Sequence, residues 1–346
     1  MLNIQTNPYF QTQLGEIYLA DAIDILKQMP DDCLDLIVTS PPFGLIKKKK
    51  YGNEDSSTYL EWFRPFAKEL YRVLKPSGSL VIDIGGSWNK GTPTRSLYHF
   101  KLMIMLCEEF NFFLAQEFYW WNPSKLPTPA EWVTIRRIRA KDAVNTVWWL
   151  SKSEYPKASN TRVLLPYSDS MKQLFQKGYT PKERPSGHKI STKFGTDNGG
   201  SITSNLLAIA NTDSNDAYTV YCKENNLTIH PARFPAELPE FFIRMLTNKN
   251  DIVYDPFGGS CVTGIICERL GRKWICSEII EEYLKGAVGG RFMIPSKHEP
   301  NRSLYTVHNP SAAWHPDVLD DITLDGGRYH RKNKILKENN SKVNCA

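Results

Sequence analysis

Residues 251–278 read DIVYDPFGGSCVTGIICERLGRKWICSE, and three elements follow from them. Asp251 to Asp255 is a short apolar run that suits a strand, Val262 to Leu270 repeats apolar residues at helical spacing, and Lys273 to Glu278 returns to a strand pattern. A strand, helix, strand unit of this length calls for parallel strands with the helix packed across them. Between the first strand and the helix stand Asp255, Pro256, Phe257, Gly258, Gly259 and Ser260. In open α/β sheets ligands bind there, outside the carboxyl ends of the strands, and glycines let backbone approach a ligand closely. The same hexapeptide also suits a plain turn with Ser260 as helix cap, and it is not a dinucleotide fingerprint, since no GxGxxG occurs. Glu278 ends the second strand, where nucleoside-binding sheets place an acid against ribose hydroxyls.

Working outward, residues 16–40 repeat the arrangement. Glu16 to Leu19 reads as strand, Asp21 to Gln28 as amphipathic helix and Leu34 to Thr39 as a buried strand that stops at Pro41-Pro42. A further helix carries Phe63, Phe66, Leu70 and Leu74 on one face, Pro76-Ser77-Gly78 reads as a turn, and Ser79 to Ile84 as a strand. Alternation of this kind predicts an α/β fold with a parallel sheet covered on both sides. The alternation pauses near Asn122 and returns at Pro235, through a helix with Phe241, Phe242, Met245 and Leu246. The chain is therefore divided into 1–121 and 227–294 as two parts of one α/β domain, 122–226 as an inserted subdomain, and 295–346 as a polar extension. Trp120, Trp121, Trp148 and Trp149 are assigned to packing.

Hydrophobic residues make up 41% of the 346 and charged residues 23%, enough for a packed core and against wholesale disorder. No apolar run approaches the roughly 18 residues of a membrane span, and the first residues lack a secretory layout, so the protein is expected in the cytoplasm, with no membrane partner. Seven cysteines without a CxxC pair, and histidines without paired spacing, predict neither a disulfide framework nor a metal site. The net charge of +6 is unevenly placed: residues 136–193 hold 13 Lys and Arg against 4 Asp and Glu. A basic insertion in an otherwise slightly acidic chain suits either a solvated surface or nucleic-acid binding.

Thr39-Ser40-Pro41-Pro42-Phe43 follows the other buried strand. Two prolines remove two backbone donors, so the nearby carbonyls have no ladder partner and can accept from a ligand. A hydroxyl, a carbonyl and an aromatic ring together suit a planar group bearing an exocyclic NH₂. TSPPF followed far downstream by DPFGGS resembles the amino-DNA methyltransferases, the serine form resembles their cytosine-N4 members, and the order, catalytic motif first and cofactor motif last, resembles the beta-class permutation. The resemblance spans about residues 15–290.

That resemblance implies a Rossmann-like methyltransferase sheet, S-adenosylmethionine as cofactor, and double-stranded DNA as substrate. It also implies a restriction-modification setting of bacterial or phage type, with a separate cognate endonuclease, and a protein acting as a monomer. Ser40, Pro41, Pro42 and Phe43 then hold a flipped-out base, and Asp83, at a strand end, is the candidate proton acceptor. Asp21, Thr39, His230, Phe234, Pro235, Asp255, Pro256, Phe257, Gly258, Gly259, Ser260 and Glu278 match cofactor-binding positions. The basic insertion, with Arg136, Arg137, Arg139 and Lys189, is the expected DNA reader. Cys261 and Val262 depart from the family's usual Gly-Thr. Adenine offers the same NH₂, so an adenine-N6 enzyme is the alternative, and a degenerate DNA-binding protein a second. The Pro-Cys context of carbon-5 methylation is absent.

Overall fold

Leu34 to Thr39 contains no polar alternation, and a strand of that kind must be covered on both faces. All six of its residues are buried at the centre of a nine-stranded sheet. The computed structural model describes residues 2–45, 52–181, 185–187, 191–212 and 215–293, and the backbone of 322–325 and 328–331.

In chain order the strands are β1 (Phe10–Gln11), β2 (Gly15–Leu19), β3 (Leu34–Thr39), β4 (Leu74–Ile84), β5 (Phe113–Trp121), β6 (Val144–Ser151), β7 (Leu206–Ala208), β8 (Ile252–Asp255) and β9 (Lys273–Glu278). The helices are α1 (Ala22–Gln28), α2 (Tyr59–Val73), α3 (Tyr98–Glu108), α4 (Asp169–Lys177), α5 (Ala217–Glu224), α6 (Glu237–Leu246), α7 (Val262–Leu270) and α8 (Glu281–Ala287). The sheet order is β1-β2-β9-β8-β3-β4-β6-β5-β7. Strands β2, β9, β8, β3 and β4 are parallel, whereas β6 runs antiparallel to both β4 and β5. Alternate residues of each strand point to opposite faces. Leu36 and Val38 therefore join Phe241, Ile265 and Leu284 on the side of α5 to α8, while Ile37 joins Ile25, Phe63, Leu70 and Leu102 on the side of α1 to α3.

Chain connections leave β3 toward β4 and β8 toward β9, in opposite directions along the sheet, so the order reverses between two hydrogen-bonded neighbours. A crevice opens at such a reversal, outside the carboxyl ends of the strands. The two motifs follow β3 and β8 and so meet there.

Two readings of the sequence need correction. Leu74 does not extend α2: it opens β4, which runs through Pro76-Ser77-Gly78 with a register shift against β3 between Leu34 and Leu36. Paired residues to either side hold that segment in the ladder despite its turn-like composition. Nor does 122–226 lie apart from the sheet. Within it, β6 fills the place between β4 and β5, and β7 adds the edge. Trp120, Trp148 and Trp149 are buried in these strands, whereas Trp121 is exposed. Of the extension 295–346 only the antiparallel pair Ile322–Asp325 and Arg328–Arg331 is described. Among the described residues no helix is long and apolar enough to cross a membrane, and no group of His, Cys, Asp or Glu could hold a metal ion.

Candidate active site

Thr39 and Asp255, the last residues of β3 and β8, tie the two motifs together. Thr39 Oγ1 donates to Asp255 Oδ1 at 2.7 Å, Thr263 Oγ1 donates to Oδ2 at 2.7 Å, and the Phe257 amide donates to Oδ1 at 3.2 Å. Burial pushes the Asp255 carboxyl up to about 6 in spite of these donors. These three donors make Asp255 the tie between β3, the turn after β8 and α7. Thr39, Asp255 and Pro235 do not line the cavity that opens above them.

That cavity holds about 710 Å³, within the range of small-molecule sites. Its walls include Asp21, Ser40, Pro41, Pro42, Phe43, Asp83, His230, Phe234, the loop Pro256 to Ser260, and Glu278, so most of the residues singled out from sequence converge on one space. Trp62 and Phe66 of α2 add aromatic rings beside Phe257, at 5.9 and 5.2 Å between ring centres.

The loop from Pro256 to Ser260 is held by charge. Glu278 Oε2 accepts from the Gly259 amide at 3.0 Å, and Oε1 accepts from the Ile279 and Ile280 amides at 2.9 Å each. Burial still leaves the Glu278 carboxyl above its ordinary value. Gly259 has φ of +52°, and a Cβ there would stand 3.1 Å from His230 Nε2. A side chain would be strained and crowded at once. The Ser260 carbonyl accepts from Arg291 Nε at 2.8 Å. Arg291 is held in turn by Asp216 at 2.9 Å, which also takes both oxygens to Arg233 Nη1 at 3.0 Å. Burial opposes ionisation of Asp216, but the two guanidiniums outweigh it and hold its carboxyl below the usual range. Helix α7 is not capped by Ser260: Cys261 takes that place with φ of +52°, a region that glycine, its usual counterpart in the resembling family, enters without strain.

Around Ser40 the chemistry differs. Ser40 Oγ donates to Asp83 Oδ2 at 3.1 Å, and Asn145 Nδ2 donates to Asp83 Oδ1 at 3.1 Å. Asp83 is buried near the end of β4, which pushes its carboxyl up to about 7; the two donors and the charge of Lys125 act the other way. His230 is half-buried, and desolvation with the nearby Arg233 lowers it to about 4, so the ring is neutral, with Nδ1 accepting from the Ala232 amide at 3.3 Å.

Of the basic residues named from sequence, Arg136 pairs with Glu131 at 2.7 Å and lies over the Trp132 ring, Arg139 donates to the Pro93 carbonyl and lies over Trp88, and Arg137 is exposed with φ of +56°. Lys189 lies outside the described residues. Sequence reasoning passed over Asn145, Asp216, Arg233 and Arg291. A lone Asn or Asp has no local signature, Arg233 lies inside the His230 to Pro235 segment without being singled out in it, and Arg291 stands 58 residues further on in a segment without a motif.

A family model described as DNA methylase (N6_N4_Mtase) matches residues 34–289. The chain belongs to this family. It is 54% identical over 287 residues to the type II methyltransferase M.PvuII of Proteus hauseri, covering 82% of this chain and 85% of that one. To the type II methyltransferase M.BamHI of Bacillus amyloliquefaciens it is 28% identical, covering 99% of this chain and 74% of that one. A solved structure described as PvuII DNA methyltransferase (cytosine-N4-specific) superposes with a TM-score of 0.70 at 44% identity, covering 85% and 92% of the two chains. The resemblance read from TSPPF and DPFGGS therefore stands. With it stand the Rossmann-like methyltransferase sheet and the family's methyl donor, S-adenosylmethionine.

Proposed function

We propose that this protein methylates the exocyclic N4 amine of cytosine in double-stranded DNA, as the modifying half of a restriction-modification pair in the cytoplasm. The observation that carries the reading is the Ser40–Asp83 hydrogen bond at the wall of the cavity that Phe43 and the loop Pro256 to Ser260 also line. The 54% identical relative, a type II methyltransferase, supports the same chemistry.

The residues present fit the methyl donor. Gly258 and Gly259 leave backbone bare, Trp62, Phe66 and Phe257 offer apolar faces to a purine, and Asp21 and Glu278 offer oxygens to its amine and to ribose hydroxyls. Glu278 uses three acceptor positions on backbone amides, and a carboxylate has about four. Bound there, S-adenosylmethionine supplies an electrophilic methyl on a sulfonium. Keeping His230 neutral by burial leaves no imidazolium to repel that positive charge.

The amine lone pair of cytosine is delocalised into the ring and is a poor nucleophile. Ser40, whose own hydrogen goes to Asp83, presents oxygen lone pairs to one amine hydrogen, and the Pro41 carbonyl accepts the other. Two acceptors placed so draw the nitrogen toward tetrahedral geometry and localise its pair. As the amine becomes cationic it gives a proton to Ser40 while Ser40 gives its own to Asp83. A carboxyl near 7 is suited to take it at neutral pH. Reaching this site requires the base to leave the duplex, and stacking on Phe43 with phosphate contacts from Arg136, Arg137, Arg139 and Lys189 offsets the few kcal/mol of unstacking. Target recognition is assigned to the parts of 122–226 outside β6 and β7.

DNA methylated by the protein, digested to nucleosides and analysed by mass spectrometry, should contain N4-methylcytosine. N6-methyladenine instead would transfer the reading to adenine. No product, together with no binding of the methyl donor, would reduce the protein to a DNA-binding one.

A further inference from the structure

Strand β6 enters the sheet against the direction of its neighbour β4, so its first residues lie beside the last residues of β4, at the cavity end of the sheet. The register pairs Asp83 with Val147 and Ile84 with Thr146, which brings Asn145 level with Gly85. Asn145 lines the cavity and is half-buried. Its Nδ2 donates to Asp83 Oδ1 at 3.1 Å, and its Oδ1 faces Gly85, where a Cβ would stand 3.1 Å from it and 2.5 Å from Phe43 Cε2. The bare Gly85 thus lets Phe43 and Asn145 close on the same point of backbone. On the opposite oxygen of Asp83, Oδ2, the donor is Ser40.

The geometry points to Asn145 as the positioning residue for the proton acceptor: by occupying Oδ1 it turns Oδ2 toward Ser40 and favours the ionised carboxylate that the reaction needs. This rests on the reading of Ser40 and Asp83 given above. A carboxylate needs donors, and of the amide's two ends only Nδ2 can donate, so an ionised Asp83 fixes the amide orientation and the amide fixes the carboxylate plane. The groups that bear on Asp83 come from three places: Ser40 after β3, Asn145 on β6, and Lys125 from the segment between β5 and β6, whose charge also favours ionisation. Asp142, paired with Arg95, and Glu278 line the same cavity. Burial raises the Asp83 carboxyl, so each donor that opposes burial governs how much carboxylate is present at neutral pH. Within this set Asn145 and Ser40 are the two side chains that donate to the carboxylate, one to each oxygen.

The test uses Asn145→Leu, which removes the donor at similar size, and Asn145→Asp, which keeps the shape and places an acceptor against Asp83. Carbon-detected NMR of the Asp side chains in the full-length free protein, with Asp83 assigned through Asp83→Asn, reads its titration without any reaction. The Asp83 midpoint should rise by about one pH unit in Asn145→Leu, and further in Asn145→Asp. In single turnovers the rising limb of the rate against pH should move alkaline by the same amount. Transfer in Asn145→Leu should then be about fivefold slower at pH 7 and close to wild type near pH 9, with calorimetric affinity for S-adenosylmethionine unchanged. An unmoved Asp83 midpoint in both variants, or a rate loss equal at every pH, would overturn the inference. If wild-type protein makes no N4-methylcytosine, the function falls, while the titration still decides whether Asn145 governs Asp83.

Discussion

In the proposed reaction one hydrogen bond, from Ser40 to Asp83, assigns a role to each residue. Serine is a poor base, and its hydroxyl becomes a directed acceptor because Asp83 takes its hydrogen. Ser40→Ala should therefore slow methyl transfer by about 100-fold or more while leaving DNA affinity within about threefold, since the lost contact strengthens only as the amine pyramidalises. Single-turnover rates near wild type would remove Ser40 from the chemistry. Asp83 makes a second prediction through stability. Its folded carboxyl titrates near 7, above the ordinary carboxylate value, so the fold holds this proton to higher pH than the unfolded chain does. The contribution to stability is fully present below about pH 4 and is lost as pH rises to about 7. Asp83→Asn removes that loss. At pH 8 the variant should be inactive yet more stable than wild type, by up to about 4 kcal/mol, and the two should converge near pH 4. Thermal melts at both pH values read the difference, and an equal shift at both would mean that Asp83 is not a buried acid titrating in this range.

At the scale of elements, the loop between β8 and α7 owes its shape to groups distant in sequence: Glu278 on the next strand, His230 before α6, and Arg291 after α8. Glu278→Ala would strand three backbone amides and loosen the loop. Affinity for S-adenosylmethionine should fall by about 10- to 150-fold in calorimetry, with little change in DNA affinity. Unchanged affinity would detach Glu278 from the cofactor. The loop itself was legible in sequence, because glycines and a proline between a strand and a helix are local signals, and so were β2, β3, β8, β9 and the helices between them. Strand β6 was not. VNTVWWLS carries a fair strand pattern, but its place between β4 and β5 depends on antiparallel partners about 30 to 70 residues away, against an expected parallel order. Asn145 was lost with it, since a polar residue in a segment assigned to no strand points nowhere in particular. Leu74 was misread for a related reason: its spacing continues the helical face of α2, and pairing with Leu34 draws it into the sheet.

Over the whole molecule, the described cations of residues 136–193 include two groups with different surroundings. Lys152 is held by Asp32 and two carbonyls, Lys157 by Asp35 and Asp251, and Arg162 by the Thr247 carbonyl and Asn248. Those partners precede β3 and β8, or in Asp35 open β3, or terminate α2 and begin β4. These cations therefore sit at the amino ends of the parallel strands, away from Ser40, and hold the base of the sheet. Arg136, Arg137 and Arg139 lie instead in the turn that leads into Asp142 and Ala143 of the cavity wall, where Arg95 pairs with Asp142 and both Arg95 and Arg139 lie over the Trp88 ring. Counterion release gives a slope of log affinity against log salt of about −0.9 for each phosphate neutralised. Replacing Arg136, Arg137, Arg139 and Lys189 together by glutamine should flatten that slope by about one unit or more and weaken DNA binding, with cofactor affinity and melting temperature near wild type. Lys157→Met is the matched comparison. It leaves buried Asp35 and half-buried Asp251 with one cation fewer, so it should lower the melting temperature by several degrees and leave the salt slope where it was. If the fourfold variant keeps the wild-type slope, or if Lys157→Met flattens it as much, the division fails and the surface that meets DNA lies elsewhere than this turn.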